Sequence, residues 1–305
     1  MILFNFFNTI LVVSSIQLGL LYAVMALGIY ITFRILDLPD LTVDGSFVLG
    51  MAVTAVITLK GHPFLALFLA ILIGAIAGIT TGLLQTKMGI HPILSGILVM
   101  TALYSINLFI MGGKSNISLV GSETIFMKIG KITALGDDTT KIIVGIIICV
   151  VLTIFLFLLF KTRLGLAIRA TGDNEDMVRS SSINADFTKC VGLAIGNGLV
   201  ALSGGLICQY SMFSDVTAGT GMVVIGLASV IIGEALFGKR SVTLGFISTI
   251  IGSIVYYIIR AFALDIELFP PYALKLVTSI IVAFALLLPT LKENYKISQM
   301  KRRGR

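Results

Sequence analysis

Residues that could do chemistry are few in this chain and widely spaced. GEALFGKRS at 233–241 approaches the phosphate-loop pattern G-x-x-x-x-G-K-[ST]. Arg240 stands where a Ser or Thr hydroxyl would bind Mg²⁺, and the preceding block is an apolar helix and not a strand, so the segment reads as a tight basic turn. Pairing with Lys239 or Arg240 is the simplest role for Glu234. His62 and His91 stand alone in short loops, with no ligand at metal spacing. Cys149, Cys190 and Cys208 are scattered through apolar segments without Cys-x-x-Cys or Cys/His spacing, the pattern of inert thiols. No Ser/His/Asp or Cys/His set is visible, so neither catalysis nor a resident cofactor is expected of this chain.

Polar side chains inside apolar blocks are the next candidates. Gln17, Thr101, Tyr104, Ser105, Asn107, Asn197 and Ser203 sit within such blocks, where each must find a partner in a neighbouring helix or in a water-filled pathway. LDLPDLTVDGSF at 36–47 adds Asp37, Asp40 and Asp44 around Pro39. Pro39 disfavours helix just before it and the carboxylates can cap a new helix after it, which predicts a bent, capped connection; a gate or partner contact is the alternative. Gln17, Asp44, Ser46, Tyr104, Asn107 and Asn197 are the candidates for a translocation path that holds no solute tightly. No carboxylate falls near the middle of a clear span, which argues against ion coupling.

The longest polar run between apolar blocks is 161–189. Basic anchors open it, Gly172 breaks the chain, and Asp173 or Thr171 can cap a helix whose first turn carries Glu175 and Asp176, favourably placed against the helix dipole. Ser182 and Asn184 are stop signals. The predicted helix of two to three turns is too short to be stable alone and needs something to rest on. It reads as the place where the protein receives mechanical work from a partner; the alternative is a surface loop held by its own spans.

These residues must be positioned by membrane helices. The chain is 57% hydrophobic and 12% charged, with a mean hydropathy of +1.06. A span needs about 20 mainly apolar residues, and backbone groups in lipid must pair internally. Spans are expected at about 9–33, 43–59, 64–87, 91–112, 141–160, 187–210, 221–237, 242–260 and 272–290, about nine in all within a range of eight to ten, with 43–59 short enough to be broken or re-entrant. The fold class is an all-α polytopic membrane protein, with one transmembrane domain over 1–290 and a basic tail at 291–305. The first residues, MILFNFFNTI, lack the basic stretch of a secretory signal and lead straight into the first span.

Basic residues at 161–189, at 238–241 and in the tail fall on one side when spans alternate, which makes that side the cytoplasm and puts the N-terminus outside if every span crosses. The net charge of +7 therefore suits anionic lipid and not nucleic acid. Segments 43–112 and 220–290 have similar hydropathy and opposite expected orientation, the pattern of an inverted repeat. Gly74, Gly78 and Gly82 share one helix face, as do Gly192 and Gly196, favouring close packing within one chain over a dimer face.

RATGDNEDMVRSSSINADFTKCVGLAIGNGLVALSGGL at 169–206 resembles the coupling-helix region of bacterial ABC importer permeases of the branched-chain amino acid, ribose and nucleoside group. Arg169, Ala170, Gly172, Asn174, Ile183 and Asn184 match its pattern. Met177 and Val178 replace small residues and Ser182 replaces a Gly, so the docking surface should differ from the usual one. FRILDLPDLTVDGSFVLG, HPILSGILVMTALYSINLFIMG and VIIGEALFGK are similar to the tryptophan/tyrosine-uptake permease subgroup.

The resemblance implies an inner-membrane homodimer bound to two ATP-binding subunits, which hold ATP and Mg²⁺, and fed by an extracytoplasmic substrate-binding protein. It implies that Gly172, Asp173, Asn174, Glu175, Asp176, Met177, Arg179 and Ser182 form the contact with the ATPase. The expected solute is an aromatic amino acid, with a nucleoside or sugar as the alternative. An ion-coupled secondary transporter and a non-transporting scaffold are the rival readings.

Overall fold

The computed structural model describes residues 9–133, 136–238 and 241–265, together with Leu276, Ser279, Ile280, Ala283 and Leu287. The expected ninth span, apart from those five positions, and the basic tail lie outside the described residues, as do Lys239 and Arg240.

Each of the first eight expected spans falls on a helix. These are α1 (Thr9–Ile29, running on through a π-turn at Tyr30–Ile35), α2 (Val43–Leu59), α3 (Pro63–Thr86), α4 (Pro92–Ile110), α6 (Asp137–Lys161), α9 (Ala185–Ser211), α10 (Met222–Phe237) and α11 (Val242–Asp265). Among the described residues, six helices are long and apolar enough to cross a membrane; α2 and α10 are apolar but shorter. Pro63 and Pro92 open α3 and α4, where the missing N–H costs no bond and the fixed φ suits the first turn. The exposed His62 and His91 stand just before them.

Between the spans lie α5 (Ile125–Thr133), α7 (Arg163–Asp173) and α8 (Glu175–Ser180). A short sheet departs from the all-helical expectation. β1 (Asn116–Ser118) and β2 (Phe213–Asp215), in segments expected as loops, pair antiparallel with Ile117 opposite Ser214. Their backbone groups close on each other where no helix is there to satisfy them.

Helix α9 is the centre of the bundle and α6 its edge: 78% of the spanning window of α9 is buried, against 22% for α6. Helix α3 runs antiparallel to α9 and lays Gly74, Gly78 and Gly82 on it. A Cβ on Gly78 would stand 2.2 Å from the Leu193 carbonyl oxygen, so this small-residue face is used for packing within the chain.

Helix α2 runs parallel to α9, with Ser46 level with Asn197 and Thr58 level with Gln209. It therefore begins about half-way along α9. Asp44 in its first turn meets the start of α10, whose other end reaches Arg34 at the end of α1. Two short helices thus begin inside the bundle and run to opposite ends of it. Arg34, the 162–184 segment, Gly238 and Ser241 lie at one end; the start of α1 lies at the other, where Gln17 touches Asp138 and Tyr210.

Candidate translocation and coupling sites

The interior junction is built where the connector 36–42 delivers α2 to α9. Asp40 accepts hydrogen bonds from the Thr42 N–H (2.8 Å) and from Asn197 Nδ2 (2.7 Å). Asn197 Oδ1 accepts from the Ser46 hydroxyl (2.7 Å), and the Thr42 and Thr81 hydroxyls bond each other (2.8 Å). All five residues are buried. Carboxylate, amide and hydroxyls thus satisfy one another in a site closed to solvent, and the network pins α2 to α9 and α3.

Asp44 does something else. Its two oxygens accept the N–H groups of Gly221 (2.9 Å) and Val223 (2.9 Å), so a carboxylate on α2 caps α10. The expectation that these carboxylates cap the helix after Pro39 is corrected: α2 has Thr42 at its N-cap, whose side chain makes no capping bond, and Asp44 serves a helix far away in sequence.

The other residues expected along a translocation path are also bonded between helices. Gln17 donates to Asp138 and accepts from the Tyr210 hydroxyl, Asn107 donates to the Gly45 carbonyl, and Ser46 and Asn197 bond each other. The side chains of Gln17, Ser46, Asn107 and Asn197 are buried and join one helix to another. Tyr104 differs: it is 52% exposed on α4, with exposed Thr101 and Ser105 beside it. Cys149 and Cys208 are buried and Cys190 is half-buried; all three thiols are free. Among the described residues no group of His, Cys, Asp and Glu could hold a metal ion.

The 161–189 segment forms an elbow of two helices where one was expected. Thr162 caps α7 by accepting from the Gly165 N–H, and Ile168 and Thr171 bury one face of it. The sequence signal was the spacing of Leu164, Ile168 and Thr171, which put the basic anchors on the other face. Gly172 does not break the chain. It lies inside α7, where a Cβ would stand 1.9 Å from the Ile35 carbonyl oxygen, so a bare backbone is needed to seat α7 on the end of α1. The break falls at Asn174, with extended backbone, and Asn174 is the cap of α8 in place of Asp173 or Thr171: its side chain accepts from the Met177 N–H (3.0 Å).

Helix α8 rests on the chain through buried Val178 and turns Met177, 57% exposed, outward beside exposed Asp173, Asp176, Arg179 and Ser182. Glu175 pairs with Lys189 and Arg179, and Arg179 also with Asp186, so four charges tie α8 to the start of α9. The Lys189 hydrogen bond holds the Glu175 carboxyl below its usual range; burial opposes it, and the Arg179 hydrogen bond adds to the lowering. Hydrogen bonds to Glu175 and Asp186 hold Arg179 above its own. Ser182 lies at φ +61°, the left-handed region that favours glycine, and it is the position where the resembled pattern carries Gly. Asn184 caps α9 by accepting from the Phe187 N–H.

Comparison with known proteins points the same way. Residues 11–288 match the family described as "Branched-chain amino acid transport system / permease component". The chain belongs to this family. A tyrosine transport system permease protein of Clostridioides difficile is 40% identical over 272 residues, 89% of this chain and 88% of that protein. The ribose import permease protein RbsC of Escherichia coli K12 is 26% identical over 254 residues, 82% and 77% of the two chains. A probable branched-chain amino acid transport permease protein LivH of Methanocaldococcus jannaschii is 26% identical over 255 residues, 79% of each. No solved structure gives a significant match. The permease is thus a multi-pass membrane protein, and its match covers both the interior junction and the elbow.

Proposed function

We propose that this permease is the membrane subunit of an ATP-driven importer, and that the α7–α8 elbow is where it receives work from a separate ATP-binding subunit. The observation that carries this is α8 itself. A helix of a single turn or two, with an apolar methionine facing outward and a four-charge network holding its shape, is a surface made to be covered. ATP and Mg²⁺ are held by the partner, and two such partners serve a pair of permease chains. The elbow end of the bundle faces the cytoplasm, as its basic residues require, which puts the start of α1 and the binding-protein contact outside. Helices α2 and α10, beginning in the interior and running opposite ways, support an inverted repeat.

The path runs along α4, where Tyr104, Thr101 and Ser105 stay exposed in a helix otherwise suited to lipid; a second copy of the chain covers them. The expected solute is an aromatic amino acid, supported by the relative named for tyrosine transport. The resemblance to a ribose permease keeps a sugar as the second reading.

The test is Met177→Asp in the complete transporter. Met177 is 57% exposed, so folding is expected to be unchanged while solute-stimulated ATP hydrolysis and uptake fall at least tenfold. Wild-type ATPase stimulation in that variant would remove α8 from the coupling contact. Uptake by purified permease alone, driven by an ion gradient, would overturn the ATP-driven reading. A binding assay on the partner binding protein, with tyrosine, tryptophan and ribose, decides the solute.

A further inference from the structure

Helix α10 is held at both ends by one short stretch of chain. At its start the Asp44 carboxylate accepts the N–H groups of Gly221 and Val223. Near its finish Glu234 Oε1 pairs with Arg34 Nε at 2.8 Å, a long-range ion pair beyond the Lys239 or Arg240 partner expected from spacing. Arg34 and Asp44 bound the connector between α1 and α2. That connector begins in a π-turn, carries Asp37 at φ +54° and Pro39, and is anchored midway by the Asp40–Asn197 bond.

Helix α7 presses on the same stretch, through Gly172 against the Ile35 carbonyl. Gly221 (φ +87°) and Gly238 (φ +77°) flank α10 in the left-handed backbone region that favours glycine.

We propose that Arg34 and Asp44 are positioning residues that make α10 the moving gate: displacement of α7 shifts the connector, and the connector carries α10 with it, opening and closing the α2–α10 contact inside the bundle. This rests on the importer reading above. Three features point to one element. The connector touches the elbow, it grips α10 at both ends, and α10 is short, begins inside the bundle and is bounded by turns.

The test has two arms. In the first, Ser229→Cys on α10 reports in a chain whose three native cysteines are replaced by serine; Ser229 is buried and bonds only within its own helix, so cysteine fits its place. In detergent, with no ATPase present and well below the melting temperature of the variant, D44N is expected to raise alkylation of that cysteine by a water-soluble maleimide at least fivefold, because the amide leaves one of the two N–H groups without its acceptor.

In the second arm, the complete transporter in liposomes is expected to lose at least tenfold in uptake with R34E or with E234R while still hydrolysing ATP. The pair R34E/E234R is expected to recover at least half of the wild-type uptake, a rescue that loss of fold would not show. Unchanged alkylation in D44N, or failure of the double variant to recover, would overturn the grip on α10. The labelling arm needs no partner. If the wild-type protein recruits no ATPase, the importer reading fails while the labelling still decides the grip. Should D44N not accumulate, the charge exchange carries the decision alone.

Discussion

The interior junction and the α7–α8 elbow both consist of polar side chains, and they use them in opposite ways. At the junction Asp40, Thr42, Ser46, Thr81 and Asn197 are buried and bonded to one another. At the elbow Glu175, Arg179, Asp186 and Lys189 form ion pairs that water can reach. A buried polar group that loses its partner costs its full desolvation, whereas an exposed ion pair contributes little to stability. The junction should therefore decide whether the permease folds, and the elbow should decide only what shape it offers a partner.

The sharpest way to break this contrast is Asn197→Leu. It orphans one oxygen of Asp40 and the Ser46 hydroxyl in a closed site, at about 1–3 kcal/mol for each group and more for the carboxylate. A large fall in melting temperature and in the yield of folded protein is expected; a normal melt would mean that the junction is not structural. Ser46→Ala removes one donor and leaves Asn197 its other bonds, so a loss of about 1 kcal/mol is expected in the same measurement.

Ser182→Gly relieves a left-handed backbone and is expected to stabilise the elbow by about 1 kcal/mol, read as slower amide exchange over 175–189. Faster exchange there would show that the serine is favoured for another reason.

Glu175→Gln should have the smallest effect, under about 1 kcal/mol at pH 7, because its pairs are largely in water. Its sign with pH is set by the depressed carboxyl. The contribution is present above the ordinary glutamate value of about 4.3 and is lost as pH falls through the lower folded value. Melting curves of wild type and Glu175→Gln should thus run parallel from pH 8 to 5 and converge only below that. Convergence near pH 7 would contradict the pairing.

Much of this architecture is legible in the sequence, and the reason differs from residue to residue. Pro63 and Pro92 open α3 and α4 through local geometry, close to where the apolar spacing places them, whereas Asn184, expected as a stop signal, also caps the start of α9. The elbow is half legible. Glu175 and Asp176 signal a helix start, but the amphipathic spacing of Leu164, Ile168 and Thr171 passes for a basic stretch, and Gly172 passes for a breaker although it is a contact. Of the residues expected to line a path, Gln17, Ser46, Asn107 and Asn197 each find a partner on another helix, which spacing along one helix does not state.

The amino-acid order by itself determined the membrane class, the helices and most of their ends, and the polar elbow between the two apolar blocks of α6 and α9. Those features come from apolar length, capping and turn chemistry, which act over a few neighbouring residues. Only the tertiary structure decided that Asp44 caps α10, that Arg34 reaches Glu234, and that Asn197 closes on Asp40 and Ser46. Each of those pairings needs two helices distant in sequence to lie side by side, and nothing in the spacing of either helix states which neighbour it will meet.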